Sequence, residues 1–215
     1  MADYIRARSD EHKEERMTQI KEATAFLFEN SPYSTITLST IAEKLAWSRA
    51  NLYKYVTTKE EIILEIAGDK MEKYYDSLIA AFPQGNKYSL EVLAEVWAGI
   101  LNANQDYLRY VSYLNPVIET NVTVERLAVF KKRYYEKSAA FAECLVQMLG
   151  ISQDTAYKIQ LDVLYYSSAA AVSCCKNPLV RQALEKISVT PPAMDFYADM
   201  KEFLSMRLNW KCKGV

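Results

Sequence analysis

The sequence predicts an all-α protein, and composition and hydrophobic periodicity are the two observations behind this prediction. The chain has 215 residues but only five glycines and six prolines, so it is poor in the residues that form the tight turns of β-rich folds. Apolar residues recur every three or four positions along most of its length, which is the period of a helix that buries one face. Half of the residues are apolar, enough for one large core or two smaller ones.

The first 30 residues are predicted to form an arm and a long helix. Residues 1–8 are expected to be a short arm that carries two arginines. The helix is predicted to begin near Ser9, because Asp10 and Glu11 would lie at the positive end of its dipole. Asn30 is expected to end this helix.

Residues 37–59 predict a helix-turn-helix, two short helices joined by a tight turn. Thr37 and Ser48 stand where the N-caps of the two helices are needed. Ala42 is small enough to let the second helix approach the first, while Leu52 and Val56 are one turn apart and point inward. The spacing therefore predicts two helices that share a small core.

The remaining elements follow from caps and breaks. A further helix is predicted over 59–82, because Thr58 and Glu61 can form a capping box at its start. Gly150 is expected to stop one later helix, and Ser152 to cap the next. These boundaries predict a helix-turn-helix domain over 1–58 and a second helical domain over 59–215, linked by helix 59–82. The other predicted helices are 90–104, 106–119, 123–149, 153–176, 179–187 and 193–211.

The helix-turn-helix has a local basic face. From Lys44 to Lys59 the chain has four basic residues and no acidic one, although its formal net charge is −1. A basic face suits DNA, because each neutralised phosphate releases a counterion. The alternative is the solvated charged face of any amphipathic helix pair. The candidate DNA-binding residues are Thr37, Trp47, Ser48, Arg49, Asn51, Tyr53, Lys54, Tyr55 and Lys59.

The chain has the motifs Phe26-Leu27-Phe28, Pro32-Tyr33, Thr37 to Ala42, Ser48 to Tyr53, Tyr55-Val56 and Lys59-Glu60. With these motifs, the run from Arg16 to Tyr74 resembles the N-terminal domain of TetR-type transcriptional repressors. The resemblance implies a regulator in which residues 1–58 bind a palindromic or pseudo-palindromic double-stranded DNA operator. Residues 59–215 would then be the effector-binding and dimerisation domain, and a small-molecule effector would release the DNA. Two positions depart from the family pattern. Ala46 replaces the usual turn glycine, at a cost of about 1 kcal/mol for a left-handed backbone, and Val56 replaces an aromatic residue. The rest of the chain resembles the family only in size and helical character.

The resemblance also implies a homodimer in which helices 153–176 and 193–211 form a four-helix bundle. Small residues between Ser167 and Ser173 would permit close helix approach, and the last helix has an apolar stripe. Ala170 and Leu204 are expected in this interface. The alternative is that the two helices form the core of their own domain.

Aromatic residues are dense between Trp97 and Tyr166, and an apolar cavity with a few placed polar groups is the usual form of a small-molecule site. Tyrosine faces attract cations, so the pattern suggests an aromatic, lipophilic effector, cationic if Glu119 and Asp162 face it. The alternative is that the tyrosines fill the core and the carboxylates are solvated. The candidate effector-binding residues are Trp97, Tyr110, Tyr113, Glu119, Tyr134, Asp162 and Tyr165.

Other functional classes have less support. There is no glycine-rich phosphate loop, no Gly-x-Ser-x-Gly elbow and no histidine after His12, so we expect no enzymatic activity, catalytic residue, cofactor or metal. The charged N-terminus, the lack of a long apolar run and four cysteines without Cys-x-x-Cys spacing predict a cytoplasmic protein with no membrane partner. Control by a protein partner, or by thiol chemistry at Cys174 and Cys175, stays an alternative to a small effector.

Overall fold

The computed structural model describes residues 2–173 and 178–213, with side chains over 12–173 and 179–210. Throughout these ranges the regular elements are helical, and the all-α prediction is confirmed. A 3₁₀ turn, Tyr33–Thr35, and a π-helical turn, Leu114–Ile118, accompany the α-helices. The α-helices are α1 Ala2–Asn30, α2 Leu38–Lys44, α3 Arg49–Leu52, α4 Lys59–Ala81, α5 Leu90–Ala103, α6 Gln105–Tyr113, α7 Val124–Leu149, α8 Gln153–Ser173, α9 Pro178–Lys186 and α10 Phe196–Lys213.

Two predicted helix starts are wrong, and both have local reasons. Helix α1 already begins at Ala2, so the arm predicted for residues 1–8 is helical from its second residue, which agrees with the absence of glycine and proline there. Helix α10 begins at Phe196 rather than at residue 193. Asp195 caps it, because its Oδ1 accepts from the N–H of Ala198 at 3.2 Å.

The helix predicted over 106–119 is interrupted. Helix α6 ends at Tyr113 and a π-helical turn follows, in which the N–H of Glu119 donates to the carbonyl of Leu114 at 2.9 Å. Pro116 lies inside this turn, has no N–H to donate, and would clash with a carbonyl of a regular helix. The wider turn accommodates its ring.

The described chain divides into two compact units. The first comprises Met1–Asp69 with Leu114–Phe130, and the second comprises Lys70–Tyr113 with Lys131–Val215. Helices α4 and α7 each contribute residues to both units. The domain division at residue 59 stays a prediction.

In the first unit, helices α1 to α3 and the start of α4 share an apolar core. Lys21 on α1 also pairs with Asp69 on α4 at 2.6 Å. The hydroxyl of Tyr33, before α2, donates to Glu60 at 2.7 Å. The first contact joins the two long helices α1 and α4, and the second ties the 3₁₀ turn before α2 to the start of α4. The largest buried side chains of this core include Ile20, Phe28, Ile36, Ile41, Leu52, Ile62 and Ile63.

In the second unit, α4 and α7 run side by side in the same direction. Arg133 donates to Glu72 at 2.8 Å, and Lys137 pairs with Asp76; in both pairs the partners are 61 residues apart. A constant sequence offset requires parallel helices. Helix α10 packs mainly on α5, and α6 packs on α8. The aromatic core of the second unit includes Tyr74, Tyr75, Phe82, Trp97, Tyr107 and Phe141.

None of the helices in the described ranges combines the length and the apolar character needed to cross a membrane.

Candidate nucleic-acid interface

The turn of the helix-turn-helix is a Schellman motif. After Leu45 ends α2, the N–H of Ala46 donates to the carbonyl of Glu43 at 3.0 Å and that of Trp47 donates to the carbonyl of Ala42 at 2.9 Å. Ala46 has φ of 55°. The left-handed alanine expected from the sequence is therefore present, in the position where glycine is favoured.

Hydroxyl caps begin the helices of this region. Thr37 Oγ1 accepts from the N–H of Thr40 at 3.1 Å, and Thr40 Oγ1 accepts in return from the N–H of Thr37 at 2.9 Å. Ser48 Oγ accepts from the N–H of Asn51 at 3.2 Å. Thr58 Oγ1 does the same for Glu61 at 3.1 Å. The caps predicted at Thr37, Ser48 and Thr58 are confirmed, and they hold the turn in place.

Helix α3 is short and two-faced. Only Arg49–Leu52 is α-helical, and residues 53–55 continue as turns. Leu52 and Val56 are buried, whereas Arg49, Tyr53 and Lys54 are exposed. Asn51 and Tyr55 are half-buried beside them. A basic and polar surface of several side chains thus lies opposite the buried face.

The ammonium group of Lys59 is hydrogen-bonded to main-chain carbonyls of the protein. Its Nζ donates to the carbonyl of Ile36 at 2.7 Å and to that of Tyr33 at 3.2 Å, and it lies 4.0 Å from the centre of the Tyr33 ring. The ammonium therefore ties the loop before α2 to the start of α4. A phosphate contact of Lys59 stays a prediction.

Trp47 contacts one residue of α1 and one residue of the turn after α3. Its ring centroid is 6.0 Å from that of Tyr55, and the guanidinium carbon of Arg16 lies 4.9 Å from the Trp47 centroid. Arg16 was not among the candidates. It lies in α1, 31 positions earlier, and periodicity within one helix carries no signal for a contact with another.

Three effector candidates lie in the aromatic core of the second unit. Trp97 is buried and donates its indole N–H to Tyr74 Oη at 2.9 Å. Tyr134 contacts Tyr75, with ring centroids 6.1 Å apart. Tyr110 is buried, and the Lys70 ammonium lies 5.7 Å from its ring centre. Burial raises the pKa of Tyr74 and of Tyr134 above the ordinary value, so both hydroxyls keep their protons at neutral pH.

The other four candidates are not in that core. Asp162 pairs with Arg207 of α10, so its carboxylate already has a cationic partner. Tyr165 is 53% exposed. Tyr113 is half-buried in the second unit, and Glu119 is half-buried in the first.

Two buried polar atoms of the second unit have no hydrogen-bond partner among the described residues. They are Tyr107 Oη and Gln160 Oε1. Tyr107 belongs to the aromatic cluster noted in the sequence, but neither residue was among the candidate effector-binding residues. The amide nitrogen of Gln160 does have a partner, since Nε2 donates to the carbonyl of Ser138 at 3.3 Å. Unsatisfied buried polar atoms are costly and uncommon in folded proteins. The sequence does not indicate that a helical glutamine is buried with an unsatisfied oxygen, because its burial depends on distant helices.

Helices α8 and α10 present apolar side chains outward. Tyr166 stacks on Phe203 with a centroid separation of 3.9 Å and an interplanar angle of 7°. The two residues expected in the interface are instead buried within the subunit, since Ala170 and Leu204 are 8% and 0% exposed. The interface contact expected of Leu204 is therefore wrong, because helical spacing does not say which neighbour covers an apolar face. An interface contact of Ala170 stays a prediction. The exposed large apolar residues of these helices are Tyr165, Tyr166, Val172, Met206 and Trp210.

Comparison with known proteins identifies the fold. The sequence model of the family described as tetracyclin repressor-like, C-terminal domain, matches residues 69–209, the part that resembled the family only in size and helical character. No curated protein matches the chain.

Three solved structures are similar over nearly their whole length. The fatty acid degradation regulator FadR from Bacillus halodurans has a TM-score of 0.57 at 14% identity, covering 90% of this chain and 94% of its own. The TetR family transcriptional regulator PfmR from Thermus thermophilus has a TM-score of 0.53 at 18% identity, covering 88% and 97%. A TetR/AcrR family regulator from Thermobifida fusca has a TM-score of 0.51 at 16% identity, covering 93% and 98%. These structures share the fold. The family's sequence model matches about two thirds of the chain. The chain therefore belongs to the TetR family of DNA-binding transcriptional regulators.

Proposed function

We propose that the chain is a homodimeric repressor that leaves a palindromic or pseudo-palindromic operator when a small-molecule effector binds. The observation that carries this proposal is the surface formed by Arg49, Asn51, Tyr53 and Lys54, a basic and polar face opposite the buried Leu52. A face of this composition can approach the negatively charged major groove without burying an unpaired carboxylate. The proposal assigns no catalytic step. It places the protein in the cytoplasm, together with the operator DNA.

Within this interface the side chains would have different tasks. Arg49, in the first turn of α3, can reach a base edge or a phosphate, and the Asn51 amide can pair with a base edge. Lys54 and Tyr53 lie beyond the helix and suit phosphates, which position the protein without reading sequence. Ser48 and Thr37 serve mainly as caps, because their oxygens already accept main-chain N–H groups.

Dimerisation is supported by the exposed apolar residues of α8 and α10. Tyr165, Met206 and Trp210 are 53%, 63% and 67% exposed, and exposed aromatic and methionine side chains are enriched at protein interfaces. Two helices from each subunit can cover each other there. A dimer would present two recognition helices about 34 Å apart, the spacing of successive major grooves on one face of DNA.

The effector proposal concentrates on the second unit, where Tyr107 Oη and Gln160 Oε1 lack hydrogen-bond partners among the described residues. A ligand with a hydroxyl or amide group would satisfy these atoms, and its apolar part would contact aromatic rings such as Trp97. A neutral lipophile suits this setting better than a cation, because Asp162 already pairs with Arg207. Long-chain acyl compounds belong in the screen, since the B. halodurans neighbour is a fatty acid degradation regulator.

Helix α4 is the proposed link between effector and DNA. Its first residue, Lys59, holds the loop before α2, while Tyr74 and Tyr75 lie nearer its end, in the aromatic core. An effector that contacts these tyrosines therefore acts on the helix that supports the DNA-binding surface. It must bind the released state more tightly, and a 100-fold loss of operator affinity needs about 2.7 kcal/mol of coupling.

The second candidate function is the same regulator under thiol control. Burial raises the pKa of the Cys144 thiol, which disfavours the reactive thiolate at this position. Cys174 and Cys175, the pair on which the redox alternative rests, lie outside the described residues.

A binding selection tests the proposal. Purified protein selects duplexes from a random library, and the enriched sequences are read with and without a panel of lipophilic compounds. We expect a motif with twofold symmetry whose enrichment falls when one compound class is present, and weaker enrichment with Arg49→Ala. Enrichment of no sequence by the wild-type protein would contradict the proposal, and a motif unaffected by any lipophile would favour control by a protein partner.

A further inference from the structure

A basic groove lies on the surface of the first unit, between the N-terminal half of α1 and the turn after α3. Its lining is three cationic side chains, one histidine and one tyrosine: His12, Lys13, Arg16, Lys54 and Tyr55. None of these five side chains is a carboxylate. The groove therefore offers several cations to one ligand.

Arg16 is held in a defined position in this groove. Its guanidinium stacks over the Trp47 ring at 4.9 Å, and Trp47 in turn contacts Tyr55. One guanidinium N–H donates to Gln19 Oε1 at 3.1 Å. Because a guanidinium has five N–H donors in a planar fork, it can still bind an oxyanion with two of them. Stacking on an aromatic ring lowers the entropy that the side chain loses when it does so.

Helix α1 separates its charges by face. Glu14 and Glu15 line a different recess with Thr18 and Gln19, and Glu15 comes within 3.5 Å of His12 Nδ1. Lys13 and Arg16 remain on the groove side. The lining of the groove therefore has cationic side chains and no carboxylate, although α1 as a whole also carries acidic residues and Glu15 lies beside His12.

The position of Lys54 indicates which ligand the groove binds. It lines the groove and also belongs to the exposed basic surface with Arg49, so a duplex lying on that surface passes the mouth of the groove. We infer that the groove binds a backbone phosphate of the operator, and that Lys13 and Arg16 of α1 are additional DNA-binding residues outside the helix-turn-helix. The inference rests on the proposed function, since it extends the same interface. These contacts are sequence-independent, because phosphates carry no base information.

The test uses salt dependence on the full-length protein. Lys13→Gln and Arg16→Gln are compared with wild type on a fluorescent mixed-sequence duplex of about 30 base pairs, which spans two half-sites. Each lost phosphate contact should reduce the slope of log affinity against log salt by about 0.9 and weaken binding about eightfold at about 0.1 M salt. A dimer on both half-sites loses two such contacts in each variant. Lys87→Gln, which removes an exposed charge in the second unit, is the control and should change neither quantity.

The outcomes separate this inference from the proposed function. Unchanged slopes in both groove variants, with Arg49→Ala still weakened, overturn the groove alone. A wild type with no salt-dependent binding to any duplex overturns both. Circular dichroism confirms that each variant is folded, and Lys13→Gln keeps the test valid if Arg16→Gln is destabilised, because Lys13 is exposed.

Discussion

Lys59 and Ile36 are joined by a hydrogen bond of 2.7 Å from the lysine ammonium to the isoleucine carbonyl. Ile36 immediately precedes Thr37, the N-cap of α2, and Lys59 is the first residue of α4. The bond therefore fixes the entry of the DNA-binding helices to the start of the helix that leads into the aromatic core. A structural role of this kind can be separated from a phosphate contact by experiment.

Replacing Lys59 by Met should lower both stability and DNA affinity without reducing the salt slope. The loop carbonyls of Ile36 and Tyr33 lose a charged donor, which costs about 1.5–3 kcal/mol at partly buried sites. Urea unfolding and salt-dependent binding measure the two effects. A slope smaller by about one unit, with stability unchanged, would instead assign Lys59 to a phosphate.

Replacing Arg49 or Lys54 by Ala should weaken operator binding while the fold stays intact. Both side chains are exposed, so each substitution removes a cation without opening a cavity. We expect the salt slope to fall by roughly one unit for a lost phosphate contact. Should Arg49 read a base instead, its loss should also relax sequence preference at one position, with a cost of about 1–3 kcal/mol. Unchanged affinity in both variants would exclude α3 as the recognition helix.

Replacing Ala46 by Gly should stabilise the protein by up to about 1 kcal/mol, because glycine adopts φ of 55° without the clash of a Cβ. Ala50→Gly is the matched control. Ala50 is also exposed but lies in α3, where glycine costs about 1 kcal/mol. Thermal unfolding should therefore move in opposite directions for the two variants, and equal shifts would contradict the assignment of strain to the turn.

Replacing Tyr165 or Met206 by Glu should produce folded monomers that lose operator binding. Both residues are exposed in the subunit, and a dimer would bury the new carboxylate without a partner, at several kcal/mol. Val129→Glu, at an exposed site of α7, should remain dimeric. Sedimentation velocity measures the outcome, and monomeric wild type at micromolar concentration would rule the interface out. Leu204 is unsuitable for this test because it is buried in the subunit core.

Replacing Tyr107 by Phe should preserve or slightly raise stability while reducing the response to effector. The substitution removes a buried hydroxyl that has no partner among the described residues, and keeps the ring. Loss of one hydrogen bond to a ligand should raise the effector concentration for half-release about tenfold, since about 1.4 kcal/mol equals a factor of ten. Tyr88→Phe, at a half-buried site, is the control. A marked loss of stability in Tyr107→Phe would show that the hydroxyl has a structural role.

Features that depend on neighbouring residues were predictable from the sequence. The caps at Thr37 and Ser48 and the left-handed Ala46 each involve contacts within five positions, and local rules describe such contacts. The contact of Arg16 with Trp47 and the pair of Asp162 with Arg207 span 31 and 45 residues. Such contacts depend on how helices pack, which the period of a single helix does not encode. Pro116 was visible in the sequence, but whether a helix kinks, stops or widens there depends on its surroundings.

The offset of 61 residues shared by Glu72–Arg133 and Asp76–Lys137 restricts how α4 can move along α7 within the second unit. A small axial displacement would lengthen both ion pairs together, and the ridges of the two helices would no longer match. Stable alternatives lie about one turn away, near 5.4 Å, where side chains again find complementary grooves. Motion of α4 against α7 is therefore expected to occur in discrete steps, so an effector would select between separate arrangements instead of shifting the helix gradually.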